Sequence, residues 1–165
     1  MKNKSVKTQI SVYVLAITLI SSIIIGLFSY ISFRNNLERY TGQRAMDLAK
    51  SISLNIDGDA IAKYGSTGVK DSTYDEIRSY LSKEKSNLDL TYLYIMVDNG
   101  TYYKYIMEGV TDHDDLSDIV DLGDAQSKGE YGPEPQQVLS EGTATFTSLY
   151  DNGQYGNFYP ALRLL

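Results

Sequence analysis

The stretch TYLYIMVDNGTYYKYIM, residues 91–107, decides the fold. Two runs rich in β-branched and aromatic residues, Thr91–Val97 and Thr101–Met107, flank Asp98-Asn99-Gly100, a strong short-range signal for a hairpin. Side chains alternate across a strand. Tyr92, Tyr94 and Met96 therefore share one face, and Leu93, Ile95 and Val97 the other. The aliphatic face is expected to lie on a long upstream helix. The aromatic face, with Tyr103 and Tyr105 as cross-strand neighbours, is either ordinary core or the lining of a pocket whose phenols fix a small polar ligand. Asn99-Gly100-Thr101 also matches a glycosylation sequon, which the turn already accounts for.

Upstream, Leu37, Tyr40, Ala45, Leu48, Ile52 and Ile56 recur at helical steps with Arg44, Asp47 and Lys50 between them. This amphipathic helix has two uses for its apolar stripe, packing on its own domain or pairing with a second copy. Asp57-Gly58-Asp59 and the residues 65–68 read as turns. Thr73-Tyr74-Asp75-Glu76 has capping-box spacing, and Tyr74, Ile77, Tyr80 and Leu81 mark the buried stripe of a second helix ending near Lys85. Downstream, residues 108–133 form an acidic loop. Pro135 and Gly142 bracket a short helix over 135–141, Thr143–Tyr150 alternates as a third strand, and Asp151-Asn152-Gly153 is a further turn.

The amino-terminal part carries a different signal. From Ile10 to Phe33 there are 24 residues without a charge, 17 of them apolar. As a helix they reach roughly 36 Å, enough for a hydrocarbon layer of about 30 Å. A secretory signal has an apolar region of only about 7–15 residues and a small-residue cleavage site, and neither fits here. Lys2, Lys4 and Lys7 precede the span, whereas Arg34, Glu38 and Arg39 after it nearly cancel, so the amino terminus is expected in the cytoplasm and residues 34–165 outside.

All 21 acids follow the span, and residues 34–165 carry 12 bases, a net charge of −9 (12 − 21). Nucleic acid is not an expected partner of such a surface. With no cysteine there is no disulfide framework, thiolate nucleophile or thiolate metal site. His113 is the single histidine, and its neighbours Asp112, Asp114 and Asp115 point to a solvated loop instead of a catalytic pair. Asp112, Asp114 and Asp118 alternate as in a calcium loop, but Leu116, Ser117 and Gly123 stand where further ligands and the turn glycine belong. No metal, cofactor or enzymatic activity is expected.

The order of elements (basic start, single span, long outer helix, capped helix, Tyr92-Leu93-Tyr94 strand, hairpin, acidic loop, Gly142, Tyr155-Gly156) resembles the extracytoplasmic Cache-type sensor of bacterial transmembrane receptors, particularly methyl-accepting chemotaxis proteins. The resemblance covers about residues 5–158. It implies an α+β fold in which a single transmembrane helix continues into a long amphipathic helix, followed by an incomplete PAS-like antiparallel sheet with flanking helices. The organisation it implies is a cytoplasmic basic start (1–9), a transmembrane helix (10–33), a sensor domain (34–158) and an aberrant tail (159–165) that does not read as the expected strand. A family member would continue through further strands, a second span and a cytoplasmic output domain, so the reading expects a truncated, split or frame-shifted chain diverging after Phe158. The function implied is non-enzymatic binding of a small ligand such as an amino or carboxylic acid at Tyr92, Tyr94, Tyr103 and Tyr105, by a membrane-anchored homodimer in contact with lipid. Histidine kinases, diguanylate cyclases and serine phosphatases reuse such sensors. The alternative from another class is an anchored surface-interaction protein whose aromatic hairpin binds a partner.

Overall fold

The structure, a computed structural model, describes residues 5–115, 117–131, 134–146, 150–151, 157–158 and 161–162. The chain is α+β, with four helices among the described residues, the first of them long, and a small three-stranded antiparallel sheet. It divides into two compact units, Met1–Thr41 and Gly42–Leu165.

The first unit is part of helix α1, Val6–Ser53, which is long and apolar enough to cross a membrane. Its residues 10–33 are exposed, as side chains that meet lipid would be. The Thr18 hydroxyl donates to the Val14 carbonyl at 2.9 Å, so a polar residue within the apolar run is satisfied by its own helix. Charge returns at Arg34, which pairs with Glu38 one turn later at 3.2 Å.

In the second unit, the end of α1 brings Ile52 into the core. Helix α2 (Gly58–Thr67) follows, capped by the Asp57 carboxylate, which accepts the Asp59 N–H, and ended by Gly68 in the left-handed region at φ 67°. The two turn signals of the sequence are these caps, and the segment between them is helical. An N-cap and a C-cap use the same Asp and Gly residues as turns, which is why local composition reads them alike. Helix α3 spans Ser72–Asn87. Its cap is Asp71 and not the expected Thr73 box: the Asp71 carboxylate accepts the Tyr74 N–H at 3.0 Å and also holds Lys63 and Tyr64.

Strands β1 (Tyr94–Asp98) and β2 (Tyr102–Glu108) form the hairpin, and β3 (Ala125–Ser127) pairs with β2, giving the order β1-β2-β3. The turn is held by Asn99, whose side-chain oxygen accepts the Thr101 and Tyr102 N–H groups. The pairing contains a bulge. Met96 stands opposite Tyr105 and Ile95 opposite Met107, so Ile106 is the extra residue. Both Ile106 and Met107 enter the core with Ile52, Ile61, Tyr64, Tyr74, Leu81 and Ile95. The aliphatic face of the hairpin thus packs on α2 and α3 as well as on the end of α1, where the sequence pointed to the long helix alone. Burying a side chain of this size contributes about 1.5–3 kcal/mol.

Beyond the sheet lie α4 (Glu134–Glu141) and four two-residue strands, β4 (Thr145–Phe146), β5 (Tyr150–Asp151), β6 (Asn157–Phe158) and β7 (Ala161–Leu162). β4 pairs with β7 and β5 with β6, both antiparallel. The expected third strand is therefore divided between β4 and β5, with residues 147–149 outside the described residues, as is the turn at Asn152 and Gly153. Ala161–Leu162, in the tail that did not read as strand, pairs with Thr145–Phe146. A ladder this short needs only backbone donors and acceptors, which leave no mark in side-chain alternation.

Candidate functional site

The hairpin brings three of the four expected tyrosines together. Tyr94 and Tyr105 meet edge to face at 5.3 Å between ring centroids, and Tyr103 lies one turn of the alternation further along β2. The fourth member of the cluster is Tyr131, which the sequence reading missed. Its ring meets Tyr103 edge to face at 5.6 Å, its hydroxyl lies 3.4 Å from that of Tyr105, and it donates to the Met96 sulfur at 3.8 Å. Tyr92 precedes β1, which begins three residues later than expected. Its ring stands 6.0 Å from Lys85 Nζ, at the other end of the row.

Burial pushes the Tyr131 and Tyr103 hydroxyls above the ordinary phenol range. At physiological pH they are neutral groups that donate and accept hydrogen bonds, without basic or nucleophilic character. The Tyr103 end is closed by Lys128, whose ammonium lies 5.3 Å from the ring centroid and 2.6 Å from Asp98 Oδ1.

The opposite end holds a buried ionic centre. Lys85 on α3 is 2% exposed and Glu108 at the end of β2 is 5% exposed. Lys85 Nζ lies 2.9 Å from Asp114 Oδ2 and 3.6 Å from Glu108 Oε1. Asp114 Oδ2 also accepts the Thr111 N–H at 2.6 Å and the Thr111 hydroxyl at 3.2 Å, while Glu108 Oε2 accepts the Val120 N–H at 3.1 Å. The acidic loop is thus only partly the solvated segment expected: Asp112, His113 and Asp115 are exposed, but Asp114 turns inward onto Lys85. A buried ammonium requires such partners, because an unpaired one would cost several kcal/mol.

A signal for Lys85 was present. It stands four residues after Leu81 and eleven after Tyr74, on the buried stripe of α3, where a charge needs a partner. Tyr131 has no such signal, since it follows a three-residue helical turn in a segment without periodicity.

The chain matches no family model, no curated protein and no solved structure. Its functional reading rests on the chemistry of these two clusters.

Proposed function

We propose that this chain is the membrane-anchored sensory part of a bacterial transmembrane receptor, with a PAS-like, Cache-type outer domain that binds a small ligand such as an amino or carboxylic acid. In this reading residues 34–165 are extracytoplasmic, α1 provides the anchor, the chain pairs with a second copy, and no reaction is catalysed. The observation that carries it is the division of the hairpin into two faces. One face is sealed by Ile52, Ile61 and Leu81, while the other gathers the rings of Tyr94, Tyr103, Tyr105 and Tyr131, with the Tyr105 and Tyr131 hydroxyls 3.4 Å apart. Neutral phenols suit a ligand that needs orientation without chemistry. The continuity of α1 through Ser53 also supports the reading, because one helix then contains both the apolar run and a residue of the domain core, Ile52.

The test is calorimetric titration of the full chain in lipid nanodiscs with a panel of amino acids and small carboxylates. One chemical class is expected to bind, and Tyr105→Phe is expected to weaken it by about three- to tenfold, the value of one hydrogen bond. A panel without any binder, or a binder indifferent to Tyr103→Ala and Tyr105→Phe alike, would remove the tyrosine face from consideration.

A further inference from the structure

The Lys85, Asp114 and Glu108 side chains form more than an ion pair. Among the described residues, Lys85 is the one ammonium paired with two carboxylates. The pairs Lys63–Asp71, Lys70–Asp121 and Lys128–Asp98 involve one carboxylate each, and their lysines are far more exposed than Lys85. An amine, the carboxyl that would acylate it and a second carboxyl able to move protons are thereby held together on three elements, α3, the loop after β2 and the end of β2. We propose that Lys85 and Asp114 join covalently, through an amide between Lys85 Nζ and Asp114 Cγ, with Glu108 as the catalytic residue that moves the protons.

The step balances without any added reactant. Glu108 Oε1 takes a proton from the Lys85 ammonium and delivers it to Asp114 Oδ1. The Nζ lone pair then attacks Cγ, and the developing negative charge falls on Oδ2, where the Thr111 N–H and hydroxyl already donate. A second proton passes from Nζ by way of Glu108 to Oδ1, the Cγ–Oδ1 bond breaks, and one water leaves. The product is a neutral amide, and Glu108 ends in the ionised state in which it began. Burial pushes the Glu108 carboxyl above its usual range, which makes it the better proton acceptor. Burial also pushes Asp114 up, but the donors from Lys85 and Thr111 outweigh it and hold that group ionised, so its proton has to arrive through Glu108. In bulk water this condensation is slow and unfavourable; fixed geometry lowers its barrier, with effective concentrations of about 10⁵–10⁸ M for well-oriented groups, and burial keeps away the water needed for the reverse step.

The bond would close the chain from residue 85 to residue 114 and fasten the loop after β2 to α3. The test is the intact mass of the full chain, purified from membranes in detergent, followed by proteolysis and fragmentation of the peptides. The expected result is a mass lower by one water, carried by a branched peptide that links Lys85 to Asp114. Glu108→Gln is expected to leave the chain at its full sequence mass. A wild-type chain at full mass, both as isolated and after prolonged incubation, would overturn the proposal. So would a water loss that maps elsewhere, such as to a cyclic imide at Asp57-Gly58. An intact bond in Glu108→Gln would overturn the role of Glu108.

Discussion

The hydroxyl of Tyr74, on α3, donates to the carbonyl of Ile106 at 2.9 Å, and Ile106 is the bulge residue that has no partner opposite it on β1. A bulge leaves backbone groups outside the ladder, and a buried carbonyl without a donor destabilises the fold. Tyr74 supplies that donor and packs its ring edge to face on Tyr64 at 5.3 Å.

Tyr74→Phe keeps the ring and removes the donor. It is expected to lower stability by about 1–3 kcal/mol. Tyr80→Phe, which removes a hydroxyl that accepts from the exposed Asn55 amide, should change it by less than about 0.5 kcal/mol. Guanidinium unfolding of both variants in nanodiscs, followed by near-ultraviolet circular dichroism, measures the difference. Equal effects would show that Ile106 finds another donor.

Asp71 links the same helices and gives a pH dependence of defined sign. The Lys63 ammonium, the Tyr64 hydroxyl and the Tyr74 N–H hold its carboxyl well below the usual range. Such a group stabilises the fold above its unfolded pKa of about 3.9, and the contribution is lost as pH falls toward the folded value. Its hydrogen-bond partner Tyr64 is pushed up to about 12, first by that bond to Asp71 and then by burial. Its contribution is present below the ordinary phenol value of about 10 and is lost as pH rises through about 12. Asp71→Asn is therefore expected to start from a lower melting temperature at neutral pH and to flatten both limbs of the profile. Parallel profiles for variant and parent would contradict this coupling.

Gly109 follows β2 where the chain passes against α3. A Cβ there would lie 2.8 Å from the backbone carbon and oxygen of Leu81, atoms that cannot rotate away. Gly109→Ala should cost about 1–3 kcal/mol through overpacking. At Gly129 the nearest atom is the Ser127 hydroxyl at 3.6 Å, and alanine there should be nearly neutral. Melting temperatures of the two variants make the comparison.

The proposed topology follows from Lys2, Lys4 and Lys7 on one side of the apolar run and near-cancelling charges on the other. A reporter enzyme active only in the cytoplasm, fused after Leu165, is expected to be silent. Replacing the three lysines by glutamine should restore part of its activity, because the bias on orientation is then removed. Strong activity in the parent fusion would reverse the orientation.

Alternation and turn chemistry made the hairpin legible to within three residues at the start of β1 and one elsewhere, because Asp98-Asn99-Gly100 and the period of two agree with each other. The helices flanking it were legible where an apolar stripe was long, as in α1 and α3. α2 was hidden because its caps resemble turns and its ten residues show a short stripe, Ile61 and Tyr64. Three of the four candidate tyrosines share one cluster, since strand parity places them there. Tyr131, Lys85 and Glu108 come from the loop after β3, from α3 and from the end of β2, and their meeting depends on tertiary packing that no local period encodes.

The extra residue in β2 also sets the parity of everything that follows it. In an uninterrupted ladder Met107 would stand opposite Tyr94, and Glu108 opposite Leu93. With Ile106 inserted, Met107 stands opposite Ile95 and stays in the core, and Glu108 falls opposite Tyr94, within reach of Lys85. Deleting the single residue Ile106 would close the ladder with Met107 still opposite Ile95 and Glu108 still opposite Tyr94, on the oily and polar sides they occupy now. A one-codon deletion there would spare the register of the ionic centre and remove instead the carbonyl that the Tyr74 hydroxyl serves.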